Sequence, residues 1–228
     1  MKRLKGVILL MVAVVFMMFF SACTKDNTAK DSAENVNNSY YPIVVEDSLG
    51  ERLEIKEEPQ RVIALAPNIT EMLYVLDLGD KVVGRNSYSD YPKEVLEVKS
   101  VGDFVDLDIE KIAELQPDVV IASTFFDEDL QKKFQDLGII VITLYDSNSF
   151  EGVYEGIETI GKVFNIEEKA NEEINNIRAK VEGVQDLVKD AEKPTVYYVV
   201  DYGQSGDYTA TGETFINRMI EKIGRAHV

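Results

Sequence analysis

The sequence predicts an α/β fold: two parallel-sheet lobes joined by a long rigid α-helix, the second lobe incomplete. Three observations predict it. Short, mostly apolar runs at Arg61–Leu65, Asp118–Ala122 and Ile139–Leu144 alternate with helical segments, the pattern of βαβ units in a parallel sheet. Residues 167–190 carry an unbroken helical repeat without proline. A further apolar run, Thr195–Val200, follows Pro194 and opens a second α/β unit.

The elements follow in order. Lys2, Arg3 and Lys5 precede an uninterrupted apolar run, Gly6–Phe20, which is short for a permanent span of about 20 residues. Phe20-Ser21-Ala22-Cys23 then resembles the lipobox of bacterial lipoproteins, with Phe20 in place of the usual leucine. Residues 1–22 thus read as a lipoprotein signal peptide and Cys23 as the lipidated first residue of the mature chain. An uncleaved N-terminal anchor is the alternative, and either one places the remainder outside the cytoplasmic membrane. Residues 23–40 are too polar to bury a core and form a flexible tether.

Residues 41–166 make the first lobe. Ile43–Val45 and Leu53–Ile55 flank Asp47-Ser48-Leu49-Gly50 and form a β-hairpin ended by Pro59. After the strand Arg61–Leu65, Asn68 starts a helix with Glu71 as its capping-box partner. Val82-Val83 opens the next strand, Asp108–Leu115 is a short helix stopped by Pro117, and Asp127–Leu137 is a helix closed by Gly138. In residues 167–190 the apolar positions Ala170, Ile174, Ile177, Val181, Val184 and Val188 follow helical spacing. At about 1.5 Å per residue this helix reaches about 36 Å, the breadth of a domain. It reads as a strut between lobes; a coiled coil of barely three heptads is the rival reading. Residues 191–228 begin the second lobe, with a helix from about Glu213.

Composition narrows the function. A formal net charge of −17 argues against nucleic acid as a partner, because binding it needs a basic footprint. The chain has one cysteine, Cys23, and one histidine, His227, so it lacks the parts of a disulfide, a zinc site, a Cys/His pair or a Ser–His–Asp triad. Gly203-Gln204-Ser205-Gly206 is not a nucleophile elbow. With 41 acidic residues, a carboxylate-dependent hydrolase is not excluded by counting alone, but no motif places two acids in one cleft. Neither repeats nor an all-β pattern support a structural or adhesive role.

Four segments carry a family resemblance: RVIALAPNITEMLYVL (61–76), VGRNSYSDYP (83–92), VGDFVDLDIEKIAELQPDVVIAS (101–123) and YYVVDYGQSGDYTATGETFINRMI (197–220). In that order they resemble the solute-binding proteins of ABC-type importers for cobalamin, siderophores and haem. SYSDYP looks most like the cobalamin branch. The resemblance implies one ligand held between two lobes, little hinge motion, and docking on a permease whose ATPase subunits are separate chains. It implies no catalysis and no resident cofactor, the metal chelate being cargo.

In open parallel sheets, ligands bind beyond the carboxyl ends of the strands. Those ends are rich in aromatic residues, which suit a large, flat, partly apolar ligand such as a corrin or tetrapyrrole. The ligand-binding candidates are therefore Pro67, Asn68, Tyr88, Tyr91, Phe104, Phe125 and Tyr202. Phe104 matches a family position that is often aromatic. Any one of these tyrosines could equally cover core. The family also presents one surface glutamate per lobe to permease arginines, and Glu128 and Glu213 are the nearest matches, with Asp129 the alternative to Glu128. Ile223–Val228 (IGRAHV) matches a reading frame of a sequencing-library adapter, and Arg225–His227 are read as carrying no function. With so little of a second lobe, residues 24–228 alone are expected to bind such a ligand weakly.

Overall fold

The computed structural model describes residues 40–123, 128–144, 149–201, 203, 206, 208–210, 212, 214–224 and 226–227. Its centre is a four-stranded sheet formed by β3 (Val62–Ala64), β4 (Val82–Arg85), β5 (Val119–Ala122) and β6 (Ile140–Thr143). The order is β4-β3-β5-β6 and every pair is parallel, with Ile63 opposite Val120 and Val120 opposite Val141. All three predicted strands and the strand opened by Val82-Val83 are present.

Alternation along the strands explains the double-sided core. Val62, Ala64, Val119 and Ile121 face one side, where α1 (Pro67–Val75), α4 (Phe150–Val163) and the start of α5 (Glu167–Val188) bring Ile69, Leu73, Ile157, Ile160, Ala170 and Ile174. Ile63, Leu65, Val120 and Ala122 face the other, against Ile112 of α2 (Ile109–Glu114) and Phe134 of α3 (Glu128–Asp136). Both faces are covered by helices, so these strands read as continuous apolar runs rather than alternating ones.

Three readings need correction or completion. First, α1 begins at Pro67 with Ala66 as N-cap, and no side chain caps it; Asn68 is not the cap and Glu71 forms no capping box. Proline at the first helical position has the required φ and lacks an amide that would be unpaired there anyway, so it moves the start forward. Second, α4 was not predicted; Ser149 caps it by accepting the Gly152 amide at 3.0 Å. Third, Thr195–Val200 is not one strand. It divides into β7 (Thr195–Val196) and β8 (Val199–Asp201), and Tyr197, Tyr198, Val199 and Val200 are all exposed. β8 pairs with β9 (Tyr208–Thr209), and β7 pairs with β10 (Ala226–His227).

The hairpin of β1 (Ile43–Glu46) and β2 (Arg52–Ile55) forms as expected. Its buried Asp47 accepts the amides of Leu49, Glu51 and Thr143, which ties the turn to the end of β6. The 22-residue α5 spans about 33 Å. Its first half is buried through Ala170 and Ile174, and Arg178 lies 4.7 Å over the Tyr154 ring. Its second half runs beside α6 (Phe215–Lys222): Gln185 donates to the Lys222 carbonyl at 3.0 Å, and Val181, Val184 and Met219 line an apolar groove of about 250 Å³. No helix among the described residues is long and apolar enough to cross a membrane.

The chain enters this unit through two tyrosines that cap α4. A helix leaves its last carbonyls unpaired. Here the Tyr41 hydroxyl donates to the Val163 carbonyl at 2.7 Å, and the Tyr40 hydroxyl lies 2.9 Å from the Lys162 carbonyl and 2.7 Å from Glu167 Oε1. Burial, then the Glu167 carboxylate, pushes Tyr40 up to about 12; burial, then Glu58 and Glu167, does the same to Tyr41. Unfolded tyrosine ionises near 10. Below pH 10 both states keep the proton and the contribution is fully present. Between about pH 10 and 12 the unfolded chain ionises first, so stability falls as pH rises. Melting temperature followed across this window should therefore decline less steeply in a Tyr40→Phe/Tyr41→Phe variant than in the parent. Equal slopes would remove the two hydroxyls from the account.

Candidate functional site

At the carboxyl ends of β3 and β4 three segments meet: the start of α1, the loop 86–91 after β4, and the loop 102–107 before α2. Asn86 builds the first loop. It is fully buried, its Nδ2 donates to the Leu65 carbonyl at 3.1 Å, and its Oδ1 accepts the Tyr88 amide at 2.9 Å. That last bond is the turn asparagine makes with the backbone two residues on. Ser89, also buried, shares a hydrogen bond with Thr70 of α1 at 2.9 Å. The polar side chains fasten the loop from beneath, and Tyr88 is left 62% exposed above it.

The second loop repeats the device. Asp103 Oδ1 accepts the amides of Val105 and Asp106 at 2.8 and 2.9 Å. Those two bonds, Asp106 first, hold its carboxyl below the usual range. Gly102 starts the turn at φ 104°, and its carbonyl accepts the Ser87 amide at 2.7 Å, joining the loops. Phe104 is thereby lifted into solvent, 50% exposed, beside Val105 at 95%. The two rings lie nearly parallel, 14° apart in plane with centroids 6.1 Å apart. Two short Asx turns thus present a small aromatic plate at the sheet end where ligands of open α/β sheets bind.

Several expected site residues gather here. Pro67 is half-buried and Asn68 exposed in the first turn of α1, next to helix amides that no side chain caps. Tyr91 is exposed in the same loop as Tyr88. Cys23, Phe125, Tyr202 and Glu213 lie outside the described residues, and of Glu128 only its place as the first residue of α3 is described. The sequence reading missed Asn86, Asp103 and Gly102. Their signal was an Asn or Asp placed one or two residues before an aromatic, which is local turn chemistry. Among the described residues no cluster of acids, His and Cys could hold a metal ion.

A broad depression of about 810 Å³ lies elsewhere, lined by Arg61, Asp77, Asp80, Val82, Glu94 and Lys99 among others. It sits at the amino ends of β3 and β4, opposite the plate, and mixes charges of both signs. The plate is the better candidate because strand carboxyl ends and helix amino ends converge there.

A sequence model of the family described as periplasmic binding protein matches residues 62–225. The chain belongs to this family. An uncharacterized ABC transporter substrate-binding lipoprotein, YvrC, of Bacillus subtilis (strain 168) is 33% identical over 228 residues, 98% of this chain and 72% of that one. A cobalamin-binding protein of Halobacterium salinarum is 28% identical over 188 residues, 81% of this chain but 50% of its own length. The crystal structure of a possible iron-binding (periplasmic solute-binding) protein of Staphylococcus epidermidis superimposes with a TM-score of 0.66 at 28% identity, covering 75% of this chain and 67% of that one. In a periplasmic binding protein the site holds and releases a solute without making or breaking its bonds. An exposed plate on a stiff base is suited to that.

Proposed function

We propose that this chain is the extracytoplasmic solute-binding component of an ABC importer, and that its solute is cobalamin or a related corrinoid. The observation that carries the reading is the Tyr88–Phe104 plate at the sheet's carboxyl end. Two nearly parallel, half-exposed rings offer flat apolar faces to a macrocycle, and the Tyr88 hydroxyl and α1 amides offer polar contacts at its rim. The cobalamin-binding relative supports the same class. In this reading Pro67, Asn68, Tyr91, Phe125 and Tyr202 complete the contacts. Cys23 carries the lipid that holds the protein at the membrane. Glu128 and Glu213 meet the permease, whose ATPase subunits work on the cytoplasmic side. A ferric siderophore or haem is the second reading, favoured by the likeness to the possible iron-binding protein.

Coloured ligands make the test direct. The protein is titrated with cyanocobalamin, hemin and a ferric hydroxamate siderophore, by calorimetry and absorbance. One cyanocobalamin per chain, bound more tightly than the other two, is expected. Preference for hemin or the siderophore would move the assignment to the second reading, and no binding of any would overturn both.

A further inference from the structure

Arg85 ends β4, and its side-chain hydrogen bonds are made to carbonyls. Nη1 lies 3.1 Å from the Asn86 oxygen, 3.3 Å from that of Ser87 and 3.1 Å from that of Ser89, while Nε donates to the Val98 carbonyl at 3.2 Å. Its backbone also takes part: its amide donates to Lys99 O and its carbonyl accepts from Val101, at 3.0 and 2.9 Å. One residue therefore grips the loop that carries Tyr88 and the segment that leads into the loop carrying Phe104. The Arg85 side chain itself is half-buried.

We infer that Arg85 is the positioning residue of the solute site: its guanidinium fixes the carbonyls of Asn86, Ser87 and Ser89, so Tyr88 is already parallel to Phe104 before a ligand arrives. This rests on the plate being the solute site. The physical reason is entropic. Ordering backbone residues costs conformational entropy, and a loop that must be ordered at binding weakens affinity by that cost. A guanidinium suits the task because its donors are fixed in a planar fork and it stays charged at any working pH. Lysine brings one point charge on a flexible stem and cannot span carbonyls that diverge around a turn.

The test is a double-mutant cycle in the protein, with cyanocobalamin as probe. Arg85→Gln in the wild-type background should weaken binding by about tenfold, and Arg85→Lys should not restore it. In a Tyr88→Ala background the same Arg85→Gln change should alter affinity by less than about twofold, because the ring it positions is gone. A merely structural arginine would give the same loss in both backgrounds, and that result, or no loss in either, overturns the inference. Amide exchange of Ser87, Tyr88 and Ser89 in the ligand-free protein is measured alongside. Protection there should fall in Arg85→Gln while the strand amides of β3 and β5 stay protected; unchanged protection in the loop also overturns the inference. Were the wild type to bind none of the three chelates, the solute reading would fail, and the exchange measurement would still decide whether Arg85 clamps the loop.

Discussion

Replacing Tyr88 and Phe104 together by alanine should weaken cyanocobalamin binding by about a hundredfold while leaving the protein folded. Aromatic anchors at binding surfaces commonly contribute about 2 kcal/mol or more each when truncated. The centroids of these two rings are 6.1 Å apart, so their losses overlap, and about 3 kcal/mol for the pair is expected rather than the full sum. That figure corresponds to roughly a hundredfold in affinity. Stability should change little, because the rings are 62% and 50% exposed and no core residue loses its packing. Tyr88→Phe keeps the flat face and should retain most of the affinity. Calorimetric titration with a parallel thermal melt decides the matter. Affinity within threefold of the parent would remove the plate from the site, and a collapse of the melting temperature would show the rings covering core instead.

The fold was legible where burial and periodicity agree. Val62–Ala64, Val119–Ala122 and Ile140–Thr143 are apolar on both faces, and each is flanked by a helix that ends at a glycine, a proline or a left-handed residue. Helix α4 shows the limit of such reading. It contains Gly152, Gly156 and Gly161, and each interior glycine lowers helix propensity by about 1 kcal/mol relative to alanine. Packing is why at least one is there: a Cβ on Gly161 would come within 2.6 Å of the Ala170 Cβ, so the glycine lets α4 approach α5 closely. A tertiary contact between residues nine apart across a helix junction outweighs local propensity, and no window confined to α4 reveals it.

The site divides in the same way. Residue type and position after a strand pointed to Tyr88, Tyr91 and Phe104. What orders them did not show, because it is geometric: the carbonyls that Arg85 collects come from residues up to 13 positions away, and Asn86 reaches back 21 positions to Leu65. A strand sequence does not announce which of its residues will turn inward beneath a loop. The start of α1 failed for a more local reason. Asn68 has the chemistry of a cap, yet Pro67 already has the backbone angle of a first helical residue and takes the earlier position.

The second large effect follows from one glycine. Gly102→Ala should destabilise the protein by about 3 kcal/mol and, with it, weaken cyanocobalamin binding, although no side chain is removed from the site. Two costs combine. Its φ of 104° is one that residues with a Cβ rarely adopt, a penalty of about 1–2 kcal/mol. The added Cβ would also stand 2.1 Å from the Asp106 carbonyl oxygen and 3.1 Å from the Leu107 Cα. Those atoms are backbone, so no side-chain rotation relieves the overlap and the turn itself must open. Opening it endangers the Asp103–Asp106 bond of 3.1 Å and the Ser87–Gly102 bond of 2.7 Å, each contributing about 1 kcal/mol. The Ser87 bond is the link between the two loops, so Phe104 should lose its parallel setting against Tyr88. Gly50 supplies the control: its φ is 79°, yet a Cβ there meets nothing within 4 Å. Gly50→Ala should therefore show the backbone penalty alone, about 1 kcal/mol, with affinity unchanged. Denaturant unfolding and cyanocobalamin titration of both variants separate the contributions. If Gly102→Ala proves no more destabilising than Gly50→Ala and binds as the parent does, the turn at 102–107 is not what holds the aromatic plate in place.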